Sequence, residues 1–130
     1  MLIQVPQIQS WEELILFIDI DIIMKDFKDY NKIKLKISGK PYNLYIADSD
    51  EKRYKGLSGI PQIPEDCGML FLHPESVRDS YTMENTYFPL AIIFIDQNFN
   101  IVDQFNAQAF QKEKVRPKSN FKYVIEIPII

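Results

Sequence analysis

The chain has 130 residues, 46% of them hydrophobic, which suffices for one compact domain and is too short for two ordinary ones. Nine Phe, seven Tyr and only four Gly predict a well-filled core and argue against disorder. A net charge of −3 and an isoelectric point of about 5.1 provide no electrostatic basis for non-specific nucleic-acid binding, so we expect no nucleic-acid partner.

Neither a membrane span nor a secretory signal is visible. The longest apolar stretch, Leu14 to Met24, contains Asp19 and Asp21 and is much shorter than the roughly 20 residues that a span requires. Residues 1–6 lack the basic region of a signal peptide. Cys67 is the single cysteine, so no internal disulfide can form. We expect a soluble protein without a membrane partner, cytoplasmic or associated with an assembly rather than secreted.

Residues 1–30 have two possible structures. Ser10 followed by Glu13 forms a capping box, which predicts a helix start. The apolar residues that would share one helical face are Trp11, Leu14, Ile15, Ile18 and Ile22. Residues 18–22 also alternate with a period of two, which is typical of a strand. We predict a helix, with a strand as the alternative. In a strand, Asp19 and Asp21 would lie on the same face, where they would form either a cation site or a solvated polar surface.

A hairpin and a short helix are predicted next. Ile33, Leu35 and Ile37 alternate with lysines, which indicates a strand with one buried face. Residues 38–41 supply a turn, and residues 42–47 supply the returning strand. For residues 48–57, the alternative of a calcium loop lacks the EF-hand spacing. Asp48 with Glu51 and the terminal Gly56 instead predict a short helix near residues 49–55, with Gly56 in the left-handed conformation.

Cys67 and His73 flank the next apolar strand, Met69 to Leu72. Gly68 predicts either a close backbone approach or a positive φ before that strand. A nucleophilic Cys–His pair is one interpretation, but the sequence does not bring the two side chains together, and a small buried thiol is the alternative that we favour. One His and one Cys cannot form a zinc site, so we predict no metal and no cofactor.

The second half of the chain predicts another hairpin and a final strand. Residues 92–96 form a continuous apolar strand, residues 97–100 a turn, and residues 101–105 its partner. Residues 123–128 form the last strand. Within it, Glu126 lies on the face opposite Ile125 and Ile127, so its carboxylate is predicted to be either exposed or buried and paired.

Three pieces of the sequence, in this order, resemble the core pattern of the DUF192 family, a small β-rich domain without an established activity. They are Gly68-Met69-Leu70-Phe71, residues 83–90 (MENTYFPL) and Phe94-Ile95-Asp96. The resemblance extends over about Leu35 to Pro128. It implies an α+β, mostly antiparallel domain over residues 31–130, as a compact jelly-roll-like sandwich or half-barrel with short helices. Residues 1–30 would then be an added N-terminal segment.

Three positions depart from the family pattern. The usual Trp, Lys and Asp are replaced by Thr82, Glu84 and Ala91. Since a Lys and an Asp could form a general acid and base or a ligand clamp, their loss argues against a retained family chemistry. We therefore predict no catalytic residue. A cleft is nevertheless predicted, and its ligand-binding residues would be Tyr81, Met83, Asn85, Thr86 and Glu126.

Three functions are compatible with these features. The first is a non-enzymatic interaction or structural module, in which residues 1–30 bind a protein partner or a second copy of the chain. The second is a small-ligand-binding protein or enzyme with its cleft near Asn85 and Thr86. The third is an accessory component of a larger assembly, such as a phage particle. The sequence identifies neither the ligand nor the partner.

Overall fold

The computed structural model describes residues 26–129, which form one mixed six-stranded sheet and one short helix. The elements are β1 (Lys32–Ile37), β2 (Lys40–Ala47), α1 (Asp50–Lys55), β3 (Cys67–Val77), β4 (Leu90–Ile95), β5 (Ile101–Ala107) and β6 (Phe121–Pro128). The strand order is β1-β2-β3-β6-β4-β5, and only the β2–β3 pair is parallel. The predicted β-rich, mostly antiparallel fold is confirmed. The jelly-roll-like closure stays a prediction.

The predicted N-terminal helix falls on residues that lie mainly outside the described part of the chain. Residues 26–30 are described, and Phe27 is 2% exposed within the main core. Its ring stacks on Tyr45 with 4.8 Å between centroids and meets Tyr30 edge to face at 5.0 Å. The end of the segment 1–30 therefore packs onto the sheet at β2, while the proposed domain boundary near residue 30 stays a prediction.

The first hairpin is confirmed as the antiparallel pair β1–β2. Its two turn residues, Ser38 and Gly39, both have positive φ, 52° and 81°, which matches the twist of paired strands. The predicted buried face of β1 is found only in part, because Ile33 and Leu35 are 41% and 38% exposed. The reason is position in the sheet: β1 is an edge strand with β2 as its one neighbour in the described residues.

The short helix is confirmed, with different capping from that predicted. Ser49 rather than Asp48 is the N-cap, and its hydroxyl accepts a hydrogen bond from the Lys52 amide at 3.2 Å. Gly56 ends α1 with φ 50° and ψ −132°, so its φ is positive but its conformation is not the left-handed helical one. Helix α1 lies in the crossover that joins the parallel strands β2 and β3, as such a connection requires.

Strand β3 is longer than predicted because it continues through Pro74 to Val77. Pairing with β6 becomes irregular between Leu72 and Val77, which is where proline, lacking an N–H, cannot contribute to the ladder. The second hairpin, β4–β5, is confirmed. In its turn, the Asp96 carboxylate accepts from the amides of Asn98 and Asn100, both at 2.9 Å.

The larger hydrophobic core lies on one face of the sheet. Phe71 on β3, Val124 on β6 and Phe94 on β4 face one another across adjacent strands and are at most 2% exposed. Residues of the crossover and of the segment before β4 cover them; these include Leu57, Ile60, Ile63 and Met83. A second buried cluster occupies the other face and comprises Tyr42, Leu44, Ile93, Ile125 and Ile127. The sheet is thus apolar on both faces at its centre.

Gly68 is required by close packing rather than by its backbone angles, since its φ is not positive. A Cβ at this position would lie 2.4 Å from the Glu126 carbonyl oxygen and 2.8 Å from the Ile127 Cγ2 atom.

We predict that Gly68→Ala lowers the free energy of unfolding by about 2–3 kcal/mol, because the backbone of β6 must shift. Urea denaturation checks this. Gly39→Ala, which has nothing within 4 Å, is the control, with an expected loss of about 1 kcal/mol from its positive φ alone. Equal losses in the two variants would contradict the packing argument.

Candidate functional site

A cavity of about 560 Å³ opens on the face of the sheet that carries the larger core. Its walls are α1 with the following turn (residues 50–58), residues 79–86, and Lys114; Phe71, His73 and Glu126 contribute from the sheet. This volume lies within the range of small-molecule sites in proteins, roughly 300–1,000 Å³. The cleft that the sequence predicted near Asn85 and Thr86 is therefore present.

Glu126 forms part of the cavity floor. Its neighbours across the sheet are Met69 on β3 and Ile92 on β4, both fully buried, so its side chain lies on the core face. The residue is 5% exposed. Burial raises the pKa of its carboxyl group from 4.5 to about 8, without an opposing contribution from a neighbouring cation or hydrogen-bond donor. At neutral pH the carboxyl group is mainly protonated and uncharged.

The carboxyl oxygens of Glu126 reach the open space of the cavity. Within residues 26–129, every fully enclosed side-chain nitrogen or oxygen has a hydrogen-bond partner. Glu126 makes no side-chain hydrogen bond and takes part in neither of the ion pairs of this region. Its oxygens are therefore not fully enclosed, and the cavity is the space that they border. The sequence left two alternatives, exposed or buried and paired; the Glu126 carboxyl group is buried, but within residues 26–129 it makes no hydrogen bond or ion pair.

The side chains of His73 and Tyr81 form a hydrogen-bonded pair beside Glu126. His73 Nε2 and the Tyr81 hydroxyl are 2.8 Å apart, and either atom can donate, depending on the histidine tautomer. Burial lowers the pKa of His73, with a further contribution from the Arg53 guanidinium. Burial raises the pKa of Tyr81, and the Glu126 carboxyl adds to this shift. His73 and Tyr81 are consequently neutral at pH 7, like Glu126.

Tyr81 is held rigidly. Its backbone N–H and C=O pair with Val115 at 2.8 and 2.7 Å, and its ring meets Phe71 and Phe94 edge to face, with centroids 5.1 and 5.7 Å apart. Such contacts fix the hydroxyl in the cavity wall before any ligand arrives.

Arg53 anchors α1 to the sheet at the edge of the cavity. Its guanidinium donates to the Leu72 carbonyl oxygen and to the Asp50 carboxylate, both at 2.7 Å, and its side chain is 14% exposed. The guanidinium thus has protein partners in two directions. The neighbouring Tyr54 is 95% exposed and also lines the cavity.

The structure brings together four of the five predicted ligand-binding residues: Tyr81, Asn85, Thr86 and Glu126. Met83 is fully buried in the core and is not among the residues that line the cavity. Backbone hydrogen bonds hold Asn85 and Thr86 in place. The Asn85 carbonyl accepts from the Gly59 amide at 2.8 Å, and the Thr86 carbonyl accepts from the Phe110 amide at 3.0 Å.

The cavity residues that the sequence analysis did not predict include Arg53, Tyr54 and His73. The Arg53 position matches an arginine that is usual in the family pattern, which was the one available signal. His73 was considered only as a partner of Cys67. Nothing in the sequence around Tyr54 marks it, because a tyrosine on a short helix is as compatible with the core as with a cavity rim.

The Cys67–His73 pair is excluded by distance. Both residues lie on β3, six positions apart, which corresponds to about 20 Å along a strand. Burial raises the pKa of the Cys67 thiol to about 11, with a further increase from Asp66, so the thiolate needed for nucleophilic attack is scarce at neutral pH.

Residues 26–129 hold no group of three or more His, Cys, Asp or Glu side chains arranged for a metal. No helix in that range is both long and apolar enough to cross a membrane.

Protonation of Glu126 makes stability depend on pH. The unfolded chain releases this proton near pH 4.5 and the folded protein near pH 8, so unfolding releases a proton between these values. We predict that stability falls as pH rises through this window, by at most about 1.4 kcal/mol per pH unit, and that Glu126→Gln removes this contribution. Urea denaturation of both proteins between pH 5 and pH 8 checks it. Parallel stability profiles would show that the carboxyl group is not held neutral.

Comparison with known proteins agrees with this fold. Residues 33–129 match the family model of DUF192, which is described as an uncharacterized ACR. No curated protein matches the chain. A proposed transcription regulator from Sinorhizobium meliloti 1021 is 28% identical, with a TM-score of 0.65 over 76% of this chain and 81% of the other. A protein of unknown function from Novosphingobium aromaticivorans is 20% identical, with a TM-score of 0.66 over 76% and 73%, and its likeness shows the fold alone. Because the family model covers three quarters of its length, the chain belongs to the DUF192 family.

Proposed function

We propose that this protein binds a small, uncharged polar ligand in the cavity, with Tyr81, Asn85, Thr86 and Glu126 among its contacts. The observation that carries the proposal is the Glu126 carboxyl group, which is 5% exposed, makes no hydrogen bond or ion pair within residues 26–129 and borders a cavity of about 560 Å³. A carboxyl group that borders a cavity and makes no hydrogen bond within residues 26–129 can form hydrogen bonds with a ligand.

A purely structural role does not account for this glutamate. Its cross-strand neighbours Met69 and Ile92 are apolar, and an apolar residue would fill the same position without loss of hydration. Burying a carboxyl group without a partner costs about 1–3 kcal/mol. A binding function explains why the group is present, since affinity for a polar ligand requires a polar floor.

The charges around the cavity support an uncharged ligand. Arg53 is paired with Asp50. The remaining charged side chains of the lining are two cations, Lys55 and Lys114, and two anions, Asp79 and Glu84. The floor adds only the neutral groups of His73, Tyr81 and Glu126. A strongly anionic or cationic ligand would therefore find no excess of the opposite charge.

Ligand-detected NMR with a chemically diverse fragment library tests the proposal. We predict that the wild-type protein binds several polar fragments at millimolar concentration and that Glu126→Leu loses them, because the variant replaces the floor carboxyl by an apolar side chain. Tyr87→Ala is the matched control, since Tyr87 is 51% exposed and does not line the cavity. Absence of any bound fragment, or hits that persist in Glu126→Leu, would overturn the proposal.

We also propose, as a second function, that the β1 side of the molecule and the preceding residues 1–30 mediate association with a protein partner or a second copy. The supporting observation is that the edge strand β1 exposes Ile33 and Leu35. Exposed apolar residues on an edge strand are a usual site of strand pairing between chains, although Lys32, Lys34 and Lys36 oppose uncontrolled pairing.

Light scattering after size-exclusion chromatography tests the second function in the full chain. We predict that the wild-type protein shows a concentration-dependent increase in mass and that the double variant Ile33→Lys, Leu35→Lys is monomeric. The exposed Tyr54→Lys variant, in helix α1 rather than on β1, is the control. If the wild-type protein is monomeric at all concentrations, self-association is excluded and only a separate partner could use this surface.

A further inference from the structure

We propose that the cavity recognises an amide-type edge on a planar ring, in which an N–H donor and a C=O acceptor lie side by side, with Glu126 pairing that edge and Tyr54 stacking on the ring. This inference rests on the proposed ligand-binding function and specifies the chemical class of the ligand. The class includes primary aromatic amides and the lactam edges of heterocycles.

The Glu126 carboxyl group sets the hydrogen-bonding pattern of the cavity floor. A carboxyl group that is buried on an apolar sheet face and forms no hydrogen bond or ion pair within residues 26–129 takes the neutral form. In that form it presents one O–H donor and one C=O acceptor from the same carbon atom. The complement is a ligand with an acceptor and a donor at the same spacing, which is what a cis amide or lactam edge presents. Two parallel hydrogen bonds then satisfy the carboxyl group completely.

Anionic ligands, the main competing class, do not fit the floor of the cavity. A ligand carboxylate or phosphate would offer acceptors only, leaving the Glu126 carbonyl oxygen unpaired. The cation nearest the floor, Arg53, already donates to Leu72 and Asp50, both at 2.7 Å. His73 is neutral because burial and Arg53 lower its pKa. The floor therefore lacks a free positive charge for an anion.

Tyr54 supplies an aromatic ring at the rim of the cavity. A single exposed tyrosine is ordinary on a protein surface, but this one is 95% exposed and borders a cavity. No ring contact within residues 26–129 occupies either of its faces, in contrast to Tyr81, which meets Phe71, Phe94 and Phe121. A flat ligand ring can cover such a free face, and stacking of this kind is strong enough to contribute measurably to affinity.

Hydroxyl and amide groups complete the lining. Ser58, Ser80, Thr82 and Asn85 border the cavity and can both donate and accept. They suit substituents elsewhere on the ligand ring rather than a fixed charge. The ligand is then a polar ring of which one edge lies on the floor and one face lies against α1.

The test uses nicotinamide, which has a primary amide on a flat ring and does not titrate between pH 6 and pH 9. Its binding to the ¹⁵N-labelled protein is followed by chemical-shift changes, in parallel with N,N-dimethylnicotinamide, which keeps the ring and the carbonyl but lacks the N–H. We expect nicotinamide to bind and the dimethyl compound to bind at least about tenfold more weakly, as loss of one buried hydrogen bond implies. Equal affinity for the two compounds would overturn the inference.

Variants and pH identify the groups involved. Binding by the wild-type protein should weaken about tenfold between pH 7 and pH 9, as the fraction of protonated Glu126 falls. Glu126→Gln should bind at both pH values, because a carboxamide also presents a donor beside an acceptor. Tyr54→Leu should lose about tenfold in affinity, whereas Tyr87→Leu, outside the cavity, should not. Nicotinamide binding that is unchanged by pH and lost in Glu126→Gln would contradict the pairing that we propose.

A probe without an amide separates specificity for an amide edge from ligand binding in general. Methyl α-glucopyranoside, a hydroxylated ring without an amide, is titrated in the same way. If it binds in a manner sensitive to Glu126→Leu while nicotinamide does not, the cavity binds ligands of another class, and only the inference is wrong. If neither this probe nor any fragment of the library binds, the proposed function is wrong as well.

Discussion

The structure depends on the packing of β6 between β3 and β4, which places a glutamate on an otherwise apolar sheet face. Glu126 lies between Met69 and Ile92, and its backbone carbonyl is so close to Gly68 that no side chain fits there. The close packing of β6 between β3 and β4 also buries the Glu126 carboxyl group. Burial without a partner makes it neutral, and a neutral carboxyl group beside an open volume is the chemical feature that distinguishes this cavity.

The crossover between β2 and β3 supplies the remaining wall. Since these strands are parallel, the chain must return along the sheet, and α1 lies in this connection. Arg53 attaches the helix to β3 through the Leu72 carbonyl, and this attachment leaves the adjacent Tyr54 at the cavity rim. A connection required by topology thus also provides an aromatic side chain next to the polar floor.

The departures from the family pattern have different consequences. Thr82 and Glu84 border the cavity, so the loss of the usual Trp and Lys changes the size and charge of its lining. Ala91 lies on β4 against the second buried cluster, on the opposite face of the sheet, and cannot contribute to the same site. A Lys in place of Glu84 and an Asp in place of Ala91 would therefore not form one pair across the cavity. The expectation that their loss removes a single shared chemistry is wrong.

Four of the five residues of the cleft, which was proposed on the segment that carries the family resemblance and on Glu126, line the cavity. Local sequence patterns were sufficient to predict the two hairpins and the short helix, because alternation, capping and turn preferences act over a few neighbouring positions. They could not determine that β6 is inserted between β3 and β4, since this pairing joins residues far apart in the chain. That insertion decides that Glu126 is buried, whereas the crossover that carries α1 places Tyr54 at the cavity. The sequence by itself determined which residues are polar, aromatic or apolar; the tertiary structure decided which of them share one cavity, because burial and pKa depend on neighbours contributed by other strands.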